Sequence, residues 1–300
     1  MKKTSLGFKI VDAIYIAMMI LPIAAGIVLK VITKPASEGI NITGAGIYFS
    51  IPMPLQDFII TESQINSLIA TLVILFFCLF ITHGITEKCE LKRQHFAELI
   101  VEKVDGMVNE NMGEYFKGFS PFIIGMMALS GVSSLLTLFG LYPPTSDINI
   151  VGGWAVLVFI LITYYKLKCG PVNYLRSFTQ PVAFLTPINL ISEVATPVSM
   201  AFRHYGNVLS GSVIGVLIAT ALGSLSSKLL SWAPGFLADI PLLQVGIPAV
   251  LSLYFDIFSG LLQAFIFAML TMMYVAGAFD YDTFKKRQAK KVKKHESAKI

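Results

Sequence analysis

Six long apolar stretches divide the chain, at 11–31, 65–83, 119–141, 151–167, 190–222 and 245–279, and charged segments separate most of them. A helix rises ~1.5 Å per residue and the hydrocarbon core of a bilayer is ~30 Å thick, so stretches of this length predict membrane-crossing helices. The fifth, if continuously helical, would reach roughly 50 Å, and the sixth slightly more, with Pro248 near its start where a missing N–H costs least. Ordinary tilts of about 20° shorten such a projection only slightly, so the last two helices are expected to lie obliquely. The fold class read from this pattern is an all-α integral membrane protein with about six membrane helices, the last two long and strongly tilted.

Composition agrees: 55% of residues are hydrophobic, 14% are charged and the mean hydropathy is +0.72, far more apolar surface than a soluble core of this length buries. The net charge of +5 gathers beside the spans, where anionic headgroups are the nearer partner, and nucleic acid is not expected. Lys2, Lys3 and Lys9, then Lys88, Lys92, Arg93, Lys103 and Lys117, then Lys166, Lys168 and Arg176, and finally the run KKRQAKKVKKH at 285–295 fall on one side. The other side keeps little more than Lys34 and Lys228, so both termini are expected in the cytoplasm and the chain in the cell membrane.

Residues 1–33 read as an N-terminal anchor helix, the alternative being a cleaved signal peptide. Its apolar core exceeds the ~7–15 residues of a signal h-region and no clean A-x-A site follows. Between the second and third spans, Phe96, Leu99, Ile100, Val104 and Met107 recur at helical spacing in the charged segment 87–117. This predicts an amphipathic cytoplasmic helix, lying along headgroups or against another subunit. The three cysteines, Cys78, Cys89 and Cys169, lack metal-ligand spacing and are read as reduced thiols. No phosphate-binding G-x-x-x-x-G-K-[ST] loop and no H-E-x-x-H pair occurs, so no cofactor is expected and nucleotide or metal chemistry would belong to a partner.

The candidate chemistry lies in the last two spans. Arg203 is the only strongly basic residue between Arg176 and Lys228. A guanidinium cannot shed its proton to enter hydrocarbon, and its cost of roughly 2.5–3.5 kcal/mol at a helix centre marks it as functional. At ~100° per residue, Ser199, Asn207 and Ser210 fall within about 40° of Arg203, and Ser212 points about 180° away. On the last span Ser252, Asp256, Ser259, Gln263 and Tyr274 keep close to one line, as one wall of a water-filled path would. Serines in such helices often only bond a neighbouring helix, whereas Asp256 carries the same insertion penalty as Arg203. Glu193 lies near a helix start, where a carboxylate is inexpensive. His204 points about 100° aside from Arg203 and is expected to pack, and His83, His95 and His295 are assigned no chemistry.

The segments PINLISEVATPVSMAFRHYGNVLSG at 187–211 and LLQAFIFAMLTMMY at 261–274, with a weaker PTSDIN at 144–149, resemble subunit a of the membrane sector of F-type ATP synthases, and the resemblance covers about 50–279. It implies that Arg203 is the family's essential arginine, Asn207 its following asparagine and Gln263 the glutamine of the last helix. Asp256 falls where many members place glutamate or histidine, Glu193 matches an acidic position before the helix proline (Pro197), and Asp147 matches an acidic position of unassigned role. Ser212 stands where many members have glutamate, His204 and Tyr205 replace a commoner leucine and phenylalanine, and the first helix is additional to the usual five.

The function so implied is a proton-translocating stator subunit whose last two helices form a hairpin against the rotor, the c-subunit ring. Two offset half-channels would pass protons to and from ring carboxylates, coupling proton flow to ATP synthesis or hydrolysis. Arg203, Asp256, Gln263, Asn207, Glu193 and Ser212 are the implied ion-translocation residues. Implied partners are the c-subunit ring, the b subunits, the rest of the F-type complex, membrane lipid and the transported H⁺, with Na⁺ as the alternative ion. The subunit itself would be non-catalytic. The domain reading is 1–33 anchor helix, 34–63 extracellular loop, 64–279 ion-translocating membrane domain and 280–300 basic cytoplasmic tail. The rival function is an independent secondary transporter using Arg203 to bind an anionic substrate, yet no repeat relates the first three spans to the last three.

Overall fold

Helix α1 (Leu6–Thr33) leads to a two-stranded antiparallel hairpin, β1 (Ile47–Ile51) and β2 (Phe58–Thr61), which runs directly into α2 (Glu62–Thr82). There follow α3 (Lys92–Met112), a 3-10 segment Glu114–Phe119, α4 (Ser120–Leu136), α5 (Ile148–Cys169), α6 (Pro171–Phe178) and α7 (Thr186–Leu229). A π-helical segment, Leu253–Ser259, opens into α8 (Gly260–Gly277). The computed structural model describes residues 6–33, 44–54, 57–85, 91–179, 182–229, 246, 250–251, 253–281, 283–287 and 289. Pro248, Ser252, Lys34, Cys89 and most of the basic tail lie outside them, and so do the side chains of Asp256 and Ser212. Six helical spans, Leu6–Thr33, Glu62–Thr82, Glu114–Phe139, Ile148–Cys169, Thr186–Leu229 and Leu253–Gly277, are long and apolar enough to cross a membrane.

Local chemistry sets the boundaries. The Thr61 N–H donates to Gln64 Oε1 at the start of α2, and Asp147 caps α5 by accepting from the Asn149 N–H at 2.9 Å. Pro171 occupies the first turn of α6, where its missing N–H is harmless, just after Gly170, whose φ of 147° other residues rarely adopt. The hairpin is an addition to the expected helices. IYFSI and FIIT are rich in aromatic and β-branched residues and are parted by prolines, and strands this short escape a search for membrane-length periodicity.

The main core lies where α3, α4, α5 and α8 meet, around Val108, Ile123, Val158, Phe267, Met272 and Val275. A second cluster, Ile69, Ala70, Leu136 and Leu141, joins α2 to the end of α4, with Ile23 of α1 against it. Val151, Ala155 and Ala201 tie α5 to α7. Small residues allow the closest approaches: a Cβ on Gly260 would lie 2.5 Å from Ser134 Cβ, and one on Gly211 would lie 3.2 Å from Phe255 Cβ. The amphipathic helix at 87–117 divides its apolar stripe. Val104 is buried and Met107 packs in the main core beside it, while Phe96 and Leu99 are exposed. The C-terminal half of α3 therefore docks on its own chain instead of lying wholly on headgroups or another subunit.

At 44 residues, α7 is the longest element, roughly 66 Å from end to end, about twice the hydrocarbon thickness. The π segment widens the turn before α8, so position 256 leaves the α-helical register by which it falls on one line with 259.

Candidate functional site

Helix α7 turns a narrow stripe to the protein, on which Pro197, Met200, Ala201, His204 and Gly211 are all buried. The flank beside it carries Ser199, Phe202, Arg203 and Ser210, all exposed. Arg203 has no hydrogen-bond or ion-pair partner among the described residues. One turn on, Asn207 Nδ2 donates to Gln263 Oε1 of α8 at 3.4 Å, and Ser259 Oγ donates to Asn207 Oδ1 at 3.2 Å. Gln263 is buried. Three of the sequence-predicted polar residues thus meet between the last two helices.

Glu193 is elsewhere. It precedes Arg203 by ten positions, about 15 Å along the helix, and forms an ion pair with Lys166 of α5 at 2.5 and 2.7 Å. The pair borders a cavity of about 390 Å³, lined also by Ser177, Asn189, Ser192, Thr196 and Tyr274. Tyr274 therefore belongs with Glu193 rather than with Gln263. The predicted set is split into two polar groups along α7, and Arg203 lies between them.

His204 packs as expected. It is fully buried, its Nε2 lies 3.2 Å from Ser130 Oγ, and the rings of Trp154 and Phe267 meet it edge-on at 5.9 and 5.3 Å.

Two polar networks escaped the sequence reading, because their members are far apart in the chain. At the end that carries the hairpin, the buried Glu62 pairs with Lys30 of α1 at 3.2 Å and accepts from the Tyr142 N–H at 3.3 Å. Asn66 Nδ2 donates to the Tyr142 carbonyl at 2.8 Å, and Ser63 Oγ donates to Asp147 Oδ2. Asp147 thus caps α5 and ties it to α2 at once. Burial first, and then the Glu62 carboxylate, push the Tyr48 phenol up to about 12. The Tyr142 phenol is likewise pushed up to about 12 by burial and then by Asp147, Tyr205 and Glu62. At the opposite end Arg93 Nη1 donates to Asp12 Oδ1 at 2.7 Å, His83 Nδ1 lies 3.0 Å from the same oxygen, and the guanidinium covers the Phe8 ring. The first helix is thereby pinned at both ends.

The family model of the ATP synthase A chain matches residues 65–276. Among curated relatives, an "ATP synthase subunit a" of Desulforamulus reducens is 33% identical, the match covering 72% of this chain and 78% of the relative. An "ATP synthase subunit a 3" of Pelobacter propionicus is 31% identical over 62% of this chain and 74% of its own length. A relative of Propionigenium modestum, "ATP synthase subunit a, sodium ion specific", is 27% identical over 79% of this chain and 86% of its own length. A match spanning both the arginine helix and the glutamine helix, with relatives covered over most of their length, makes this multi-pass membrane chain a member of the ATP synthase A chain family.

Proposed function

We propose that the chain is the non-catalytic, ion-translocating stator subunit of a rotary ATP synthase, set against a ring of c subunits and held by b subunits. The observation that carries this reading is Arg203: an exposed guanidinium with no partner among the described residues, on the outer flank of the longest membrane helix. Such a charge in hydrocarbon calls for an acid supplied by another subunit. A rotor carboxylate passing Arg203 would be favoured in its ionised form, and the fixed positive charge would repel protons crossing directly between two half-channels.

The polar groups on either side of Arg203 support two separate paths. Asn207, Gln263 and Asp256 are assigned to the outward path, Glu193 to the inward exit and Ser212 to a path wall. H⁺ is the proposed ion, and a sodium-specific relative makes Na⁺ the alternative. The basic end, with Lys168, Lys285, Lys286 and Arg287, is assigned to the cytoplasm, both termini with it, and the membrane to the cell membrane. Residues 1–33 are read as a retained anchor, 34–63 as an outer loop, 64–279 as the translocating domain and 280–300 as a basic tail. The oblique, hairpin-like placement of the last two helices against the ring rests on the length of α7.

Arg203→Ala tests the assignment. The complex assembles, because an exposed side chain is removed from no core, and ATP-driven proton pumping in membrane vesicles is lost. Undiminished pumping by an assembled variant overturns the reading.

A further inference from the structure

The ion pair between Lys166 and Glu193 is built unlike a surface pair. The Glu193 side chain is 11% exposed and that of Lys166 28%, and one ammonium lies within 2.7 Å of both carboxylate oxygens. Lys166 comes from the last turn of α5, where a cation favours the helix end in any case. Glu193 lies one turn before Pro197, whose missing N–H leaves the Glu193 backbone carbonyl without its usual helical donor. A pin between α5 and α7 needs no cavity, yet this pair forms part of the wall of one of about 390 Å³ with hydroxyl and amide groups around it. Two phenols also lie close: Tyr174 of α6, whose ring lies 5.7 Å from Lys166 Nζ, and Tyr274 of α8, which lines the cavity. Burial, and next the Glu193 charge, raise the Tyr174 phenol, so it stays neutral at physiological pH. Among the described residues, Lys166 is the only full positive charge lining the cavity.

We propose that Lys166 is a positioning residue of the inward ion path, holding the Glu193 carboxylate fixed at the cavity wall so that it takes up a proton from cavity water and passes it to the cytoplasm. This rests on the stator reading above and adds a residue to it. The cycle balances: Glu193 gains one proton from water, its contact with the ammonium loosens, the proton leaves to bulk water and the pair re-forms, Lys166 keeping its charge throughout. Without the ammonium the carboxylate loses its fixed place at the wall, and the exit slows.

The test uses the whole complex in proteoliposomes, reading passive proton flux through complexes stripped of their catalytic head, and ATP-driven pumping. Lys166→Gln is expected to slow both fluxes several-fold, because the carboxylate loses the group that fixes it, and Lys166→Arg to preserve most of them. The exchange of Lys166→Glu with Glu193→Lys is expected to assemble and stay impaired, because it restores the pair but moves the carboxylate to α5. Undiminished flux in an assembled Lys166→Gln complex, or an exchange that restores normal flux, overturns the proposal in favour of a static pin. Should Lys166→Gln not assemble, the exchange alone decides. If Arg203→Ala abolishes pumping while these variants behave normally, only the Lys166 assignment falls; if Arg203→Ala pumps normally, the stator reading falls with it.

Discussion

Asn207 on α7 and Gln263 on α8 meet amide to amide at 3.4 Å, and Ser259, one turn before Gln263, closes on the other side of Asn207 at 3.2 Å. One asparagine therefore spends its donor and its acceptor on the same neighbouring helix, one turn beyond Arg203. If the pair acts as a unit, truncating either residue removes the same contact. Asn207→Ala and Gln263→Ala are each expected to slow ATP-driven pumping several-fold, and the double variant no further than the worse single one. Losses that multiply in the double variant would make the two residues independent. The structural coupling expected from such a bond between membrane helices is small, about 0.6 kcal/mol.

The glycine at the start of α8 is a packing requirement. A Cβ at 260 would lie 2.5 Å from Ser134 Cβ on α4, closer than side chains approach without displacement. Gly260→Ala is expected to destabilise the subunit by about 1–3 kcal/mol, the usual effect of overfilling a tight contact. The thermal midpoint of the purified complex should fall, and adding Ser134→Gly should recover most of the loss. No change in the midpoint would mean that α4 and α8 separate easily at this level.

The helices were legible in the chain because the bilayer imposes one length on every crossing, and Arg203 stood out because a guanidinium has no inexpensive place in such a run. Six spans were expected and six are found among the described residues, with α7 extended at both ends. What pairs across the bundle was not legible. Lys30 with Glu62, Ser63 with Asp147 and Arg93 with Asp12 are separated by dozens of residues, and no spacing rule links them. The π segment was missed for a different reason. Its sequence LYFDIFS has no proline or glycine to announce a change of period, so a uniform 100° step carried the reading past it.

His204 is a buried histidine next to Arg203, and its surroundings argue for packing. Its Nδ1 has no hydrogen-bond partner among the described residues, and Trp154 and Phe267 enclose the ring. His204→Leu removes a half-satisfied polar group and keeps the volume, leaving Ser130 Oγ free to turn to its own helix. Replacing a buried polar group by an apolar one of similar shape is often nearly neutral, so stability should change by less than ~1.5 kcal/mol and pumping should be retained. A pumping rate reduced tenfold or more in an assembled variant would give His204 a part in ion transfer.

Tyr48 and Tyr142 make the hairpin end sensitive to alkali. Both phenols titrate at about 12 in the folded protein, against 10.0 for a free tyrosine. Below pH 10 both folded and unfolded chains keep these protons, and the contribution to stability is constant. Between about pH 10 and pH 12 the unfolded chain releases them while the folded chain retains them, so unfolding becomes easier as pH rises. Lysines titrate in the same range, and the comparison that isolates the phenols is therefore with Tyr48→Phe and Tyr142→Phe, which cannot ionise. The thermal midpoint of the wild-type complex is expected to fall more steeply from pH 10 to pH 12 than that of either variant, and the phenolate absorbance of the folded wild type near pH 10.5 should match that of the variants. Equal slopes, or a wild-type absorbance higher by one phenolate, would mean that water reaches the Glu62 and Asp147 carboxylates freely and that the hairpin end is open to solvent.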